Sequence, residues 1–235
     1  DSHKPTDYYF MGWGLTVKLL ALDTATEACS AAVWVDGNVL ERYELAPRRH
    51  AALILPMIES VLAEAGLSAG QLDAIAVGRG PGAFTGVRIA MGIAQGIAFA
   101  ADRPVAPVST LAALALGAAR ATGEARIAAA LDARMSEVYW GLYAVNGYET
   151  ELLGEERVCA PEAVTAPPGA WFGAGSGWAV YAEALAQRLT VSGWRSDCYP
   201  RAGDIARLAA TPSQRGAWVV AEQALPVYLR DRVTG

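Results

Sequence analysis

The chain opens its periodic part with KLLALD, a short apolar run that closes on Asp23 and predicts a buried strand. CSAAVWV and NVLERYEL follow as two alternating runs joined at Asp36-Gly37, the dipeptide that favours a two-residue type I′ hairpin. From His50 to Gly66 the apolar positions move to helical spacing: Ile54, Ile58, Val61, Leu62 and Ala65 share one stripe, and Gly66 supplies the stop. A strand at Asp73 to Val77, a glycine loop, a helix from about Thr85 to Ala101, a strand at Val105 to Val108 and an alanine-rich helix from Thr110 complete a βββαβαβα half.

The second half begins the same way. Ala21-Leu22-Asp23 recurs as Ala130-Leu131-Asp132 at an offset of 109, and Asp36-Gly37 recurs as Asn146-Gly147 at an offset of 110. Further elements are expected around Ala170 to Phe172, Trp178 to Leu189 and Gly203 to Ala210. The pattern predicts two α/β lobes, residues 11–120 and a reduced second lobe at 121–235, built on one duplicated βββαβα unit. That plan resembles the ribonuclease-H-like (ASKHA) fold of actin and Hsp70, in which the first strand's terminal Asp faces an interlobe nucleotide cleft. Residues 1–10, DSHKPTDYYF, precede a Met-Gly that reads as a natural start and are taken as a foreign remnant.

Composition narrows the classes. With 53% hydrophobic and 18% charged residues the chain is globular, and a net charge of −5 gives no face-wide basic field for nucleic acid. Cys29, Cys159 and Cys198 are odd in number and far apart, which argues against a disulfide framework and suits the cytoplasm. The weakly polar stretch from Gly86 to Ala101 is broken by Arg88 and Gln95, and the run after Lys18 stops at Asp23, so no membrane span or signal peptide is expected.

Three features could carry chemistry. The loop GRGPGAFTGVR, Gly78 to Arg88, joins strand to helix and could bring backbone N–H groups to an anion, although a tight turn needs the same glycines. It lacks the Gly-Lys-Ser/Thr of a P-loop and stands in the wrong place for a dinucleotide fingerprint. Asp23 and Thr24 with Gly80 and Gly82 are therefore weak nucleotide-cleft candidates, and the matching DARMS segment, residues 132–136, has no glycine to approach a second phosphate. FGAGSGW, residues 172–178, stands where such folds often contact adenine. The second feature is the helix after the loop, where Gly92, Gly96 and Ala100 recur every four residues. Together with Leu53 and Met57, a second apolar edge on the preceding helix, they predict a helix-to-helix partner interface. Third, His50 alone supports neither a nucleophilic triad nor a histidine metal site; no catalytic and no metal-ligating residue is assigned.

LALDTAT at 20–26, RHAALILPMIESVLAEAG at 49–66, GRGPGAFTGVRIAMGIAQGIA at 78–98, PVSTLAAL at 107–114, ALDARMSEVYWGLY at 130–143 and PVYLR at 226–230 together resemble the TsaB (YeaZ) family. The resemblance implies a subunit of the bacterial machinery that places threonylcarbamoyl on the adenosine beside the anticodon of tRNAs reading codons that begin with A. It implies pairing with the catalytic paralogue TsaD, joined by the ATPase TsaE, and contact with tRNA through the complex. The apolar edge of Leu53, Met57, Gly92 and Gly96 predicts a homodimer when the protein is alone, and the glycine-poor DARMS segment predicts ATP or ADP held weakly at most. TsaD carries its metal on two histidines that would fall at Thr110 and Leu114 here, so the resemblance implies a non-catalytic partner. The rivals are an active ATPase or kinase of the same fold and a metallopeptidase-like protein.

Overall fold

The computed structural model describes residues 17–230, and the remnant expected at 1–10 lies outside them. The first lobe is a five-stranded sheet of β1 (Lys18–Asp23), β2 (Ala28–Val35), β3 (Asn38–Leu45), β4 (Ala74–Gly78) and β5 (Val105–Val108) in the order β3-β2-β1-β4-β5. The β1–β2 and β2–β3 pairs are antiparallel, while β4 and β5 run parallel to β1. At the β2–β3 turn Asp36 and Gly37 both have positive φ, 48° and 90°, as a type I′ turn requires. Two helices, α1 (His50–Ala65) and α2 (Phe84–Ala101), cover one face of the sheet, where Ile54, Ile58, Val61, Ala90 and Met91 meet Leu20, Leu22, Ile75 and Val77. α1 stops because Gly66 takes the left-handed conformation at φ 65°, and its N–H caps the Ala63 and Leu62 carbonyls. Next comes α3 (Thr110–Thr122), opened by the Ser109 side chain accepting from the Ala112 N–H.

The second lobe holds β6 (Arg126–Asp132), β7 (Val138–Asn146), β8 (Glu149–Leu152), β9 (Arg157–Cys159), β10 (Trp171–Ala174), α4 (Gly177–Ala186), β11 (Val191–Arg195) and α5 (Ala202–Ala210). Its sheet order is β11-β10-β6-β7-β8, with β9 added against β7. Position by position this is the first sheet's order, and the pairing senses repeat as well: β6 is antiparallel to β7 and parallel to β10, which is parallel to β11. The second hairpin is shifted by one residue from the expected dipeptide. Asn146 is still in β7, paired with Glu149, and Gly147 (φ 60°) and Tyr148 form the turn.

Helices do not follow the chain's two halves. α3 packs on β6 and β7 of the second sheet, whereas α5 returns to β1, β2 and β4 of the first. After α5 the chain stays with the first lobe, since Val219 bridges to Val105 and Ala221 and Ala224 join the core beneath α1 and α2. The second lobe is thus spatially smaller than residues 121–235.

Candidate interaction face and interlobe cleft

The glycine loop after β4 is packed against the strand end it was expected to leave open. A Cβ on Gly82 would lie 2.4 Å from the Ala25 carbonyl oxygen, and one on Gly86 would lie 2.0 Å from that of Thr24. Two of the loop N–H groups are committed internally. Ala83 donates to the Ala25 carbonyl (2.7 Å) and Gly80 to Thr110 Oγ1 (3.1 Å), while Thr24 Oγ1 donates to the Gly86 carbonyl (2.6 Å). The glycines therefore serve close backbone approach, which corrects their reading as a phosphate cradle.

Asp23 and Thr24 are fully buried. One Asp23 oxygen accepts from the Ala25 N–H at 3.3 Å; the other, Oδ1, has no partner and sits 2.0 Å from where a Cβ on Gly78 would be. Burial pushes its carboxyl up to about 7, opposed only by that one hydrogen bond. Neither residue faces ligand space.

An interlobe cleft of about 570 Å³ does exist, one strand end further out. The first lobe contributes Ala25, Thr26, Glu27, His50 and Gly82; the second contributes Asp132, Arg134, Tyr139 and Ser176. Of the four nucleotide-cleft candidates only Gly82 lines it, and Asp23, Thr24 and Gly80 do not. Arg134 spans the cleft, 3.1 Å from Asp132 and 3.7 Å from Glu27. Although it has no glycine, the DARMS loop turns through three left-handed residues, Arg134, Met135 and Ser136, at φ 55–61°. L-residues rarely adopt that conformation, and here Asp132 accepts from the Arg134 N–H (2.9 Å) while Ala133 and Glu137 close the turn with backbone hydrogen bonds. In FGAGSGW the glycines admit neighbouring chain rather than adenine: a Cβ on Gly173 would meet the Trp178 ring at 2.3 Å, and one on Gly175 the Ala130 carbonyl at 2.4 Å.

The face of α2 is different. By length and composition this helix is apolar enough to cross a membrane, yet only 33% of it is buried. Ala90, Met91, Ala94 and Ala98 seat it on the sheet, and the opposite side presents Gly92, Gly96 and Phe99, the last 73% exposed. Nothing lies within 4 Å of a Cβ built on Gly92 or Gly96. On α1 the expected edge needs correcting. Met57 is buried at 9% exposure and Leu53 is half-buried against the core; the exposed apolar side chain is Leu55 at 50%. The i, i+4 spacing of Leu53 and Met57 places them on the flank of a buried arc wider than the five-residue stripe.

At the positions where the paralogue's metal histidines would fall, Thr110 and Leu114 are both fully buried. Thr110 instead ties α3 to the glycine loop, accepting from the Gly80 N–H and donating its own N–H to the Gly80 carbonyl. Among the described residues no three His, Cys, Asp or Glu side chains gather as a metal site.

Fold and cleft define a two-lobed α/β protein of the ASKHA-related kind, with a closed glycine loop and an open helix face. The profile of TsaD, "tRNA N6-adenosine threonylcarbamoyltransferase", matches residues 42–213. The tRNA threonylcarbamoyladenosine biosynthesis protein TsaB of Escherichia coli K12 is 42% identical over 223 residues, covering 92% of this chain and 96% of that protein. Its Haemophilus influenzae counterpart is 41% identical over 227 residues, covering 92% and 94%. The solved structure of YeaZ from Pseudomonas aeruginosa has 52% identity and a TM-score of 0.86, covering 91% of this chain and all of that one. The chain belongs to the TsaB (YeaZ) family.

Proposed function

We propose that this protein is the non-catalytic partner subunit of a tRNA threonylcarbamoyladenosine complex, presenting the open face of α2 to TsaD. The observation that carries the reading is the Gly92/Gly96 ridge: close helix approach needs small residues, and inside this chain nothing approaches them. The family relationship supplies the process, and the buried Thr110 and Leu114 leave no counterpart of the metal ligands. The duplicated strand order supports an actin- and Hsp70-like ancestry for the two lobes.

On this reading the lone protein covers the same ridge with a second copy, so homodimer and TsaD heterodimer are mutually exclusive. TsaE joins the TsaD pair, tRNA is met through the assembled complex, and the setting is cytoplasmic. The cleft holds ATP or ADP weakly, because the Gly80 and Ala83 N–H groups are already used and the DARMS segment has no glycine to approach a second phosphate. The test is reconstituted threonylcarbamoyl transfer with Gly92→Leu. Transfer should fall in step with loss of TsaD binding while the monomer's melting is unchanged; normal binding and transfer by the folded variant would put the interface on another face.

A further inference from the structure

The segment from Val219 to Arg230 has no helix or strand of its own beyond a single 3-10 turn, yet it is fastened at five places. Val219 exchanges two backbone hydrogen bonds with Val105 (2.8 and 2.9 Å). Gln95 of α2 donates from its side-chain amide to the Ala221 and Ala224 carbonyls (3.3 and 2.7 Å). The Val227 N–H donates to the Arg79 carbonyl of the glycine loop at 2.8 Å. Arg88 of α2 donates to Tyr228 Oη at 2.8 Å, with its guanidinium 3.4 Å from the centre of the Phe84 ring. Finally Arg230 crosses to the second lobe, donating to the Ala133 carbonyl (3.1 Å) and pairing with the Glu137 carboxylate.

Two cavities meet at this last fastening. The interlobe cleft and a more apolar recess of about 500 Å³ beneath the strap share Gly82, Phe84, Tyr139 and Arg230 as wall residues. Arg230 is the one strap residue in both walls. Four of its anchors lie on the first lobe and one on the second, so the Arg230 contact is the part that reports the distance between lobes.

We propose that residues 219–230 are a latch that sets the opening of the interlobe cleft, with Arg230 as its catch, and that its seat on α2 at Arg88 and Gln95 couples that opening to the exposed α2 face. A ligand that shifts the first turns of α2 would move Tyr228 and, two residues on, the guanidinium held by the second lobe. Coupling of this kind needs only that the two arrangements differ in which anchors are made.

The test uses the full chain with Cys159→Ser and Cys198→Ser, spin-labelled at Asn38→Cys on the first lobe and Ala170→Cys on the second, both exposed positions, and diluted with unlabelled protein. Electron–electron distance measurements should show a wider and longer distribution in Arg230→Ala than in the parent. Arg88→Ala, which touches no second-lobe residue, should shift the distribution in the same direction. Exchange of the Val227 amide hydrogen should accelerate about tenfold in both. The charge swap Arg230→Glu with Glu137→Arg should restore the narrow distribution, which general destabilisation would not do. Distributions that superimpose on the parent in folded Arg230→Ala overturn the latch, and an unchanged distribution in Arg88→Ala overturns its coupling to α2. Because no partner protein is present, neither outcome depends on whether TsaD binds this face.

Discussion

Two groups of glycines stand within twenty residues of each other and do opposite things. Gly78, Gly82 and Gly86 lie against the Asp23–Ala25 strand end, so that a single added carbon would fall 2.0 to 2.4 Å from an oxygen of that segment. Gly92 and Gly96 have nothing within 4 Å. The first group is explained by the chain itself; the second costs helix stability, roughly 0.5–1 kcal/mol per glycine relative to alanine, with no return inside the monomer. A glycine pair that the fold does not need is informative about what lies outside the fold.

The sharpest test of the buried group is pH. Asp23 titrates near 3.8 when unfolded and near 7 when folded, so the folded state holds the proton longer. Its stabilising contribution is complete below about 3.8, declines as pH rises towards 7 and stays lost above, a fall on the order of 4 kcal/mol by linkage. Asp23→Asn, neutral throughout, should flatten that part of the stability curve and melt higher than the parent at pH 8. Chemical unfolding at pH 4 and pH 8 checks both signs; an Asn variant with the parent's pH dependence would mean that the carboxyl is paired or solvated.

Gly86→Ala should cost about 3 kcal/mol of monomer stability, because the obstacle is backbone and cannot rotate away. Gly92→Leu should leave monomer melting within about 0.5 kcal/mol of the parent, as surface changes do, and weaken association roughly 5- to 150-fold, or 1 to 3 kcal/mol. Sedimentation and melting on the same two variants decide the matter, and equal melting losses would erase the distinction between the glycine groups. The smallest signal expected is nucleotide binding. ATP should bind the isolated protein no more tightly than roughly 100 µM, about −5.5 kcal/mol, and calorimetry showing low-micromolar affinity would mean that the closed loop opens.

Periodicity made most of the framework legible: the KLLALD strand, the Asp36-Gly37 turn, the Gly66 stop and the recurrence of the strand-Asp at Asp132 need only local rules. What failed were inferences about where a residue looks. Asp23 ends β1 as expected, but a carboxylate at a strand end can face a cleft or the next loop, and only the approach of Gly78 and Gly86 decides which. Met57 sat on an apolar edge that the sequence could not divide between core and surface. DARMS has no glycine to signal a left-handed turn, yet Asp132 and two backbone hydrogen bonds hold three left-handed residues there. The strap after Val219 has no period to read, since its order comes from Gln95, Arg79, Arg88 and Glu137, all distant in sequence.

The exchange of α3 and α5 between the sheets bears on how the protein is made. A nascent chain that has emerged as far as Gly123 has synthesised α3 but not the sheet that α3 covers, and its own sheet still lacks α5. Neither half can finish burying its apolar face until the other is present, so the first lobe waits for α5 before it is complete. A break in the connection between α3 and β6, residues 123–125, should therefore give two fragments that aggregate when expressed apart and regain native circular dichroism only when refolded together. A lobe drawn as a separate body is, in its folding, half of a single cooperative unit.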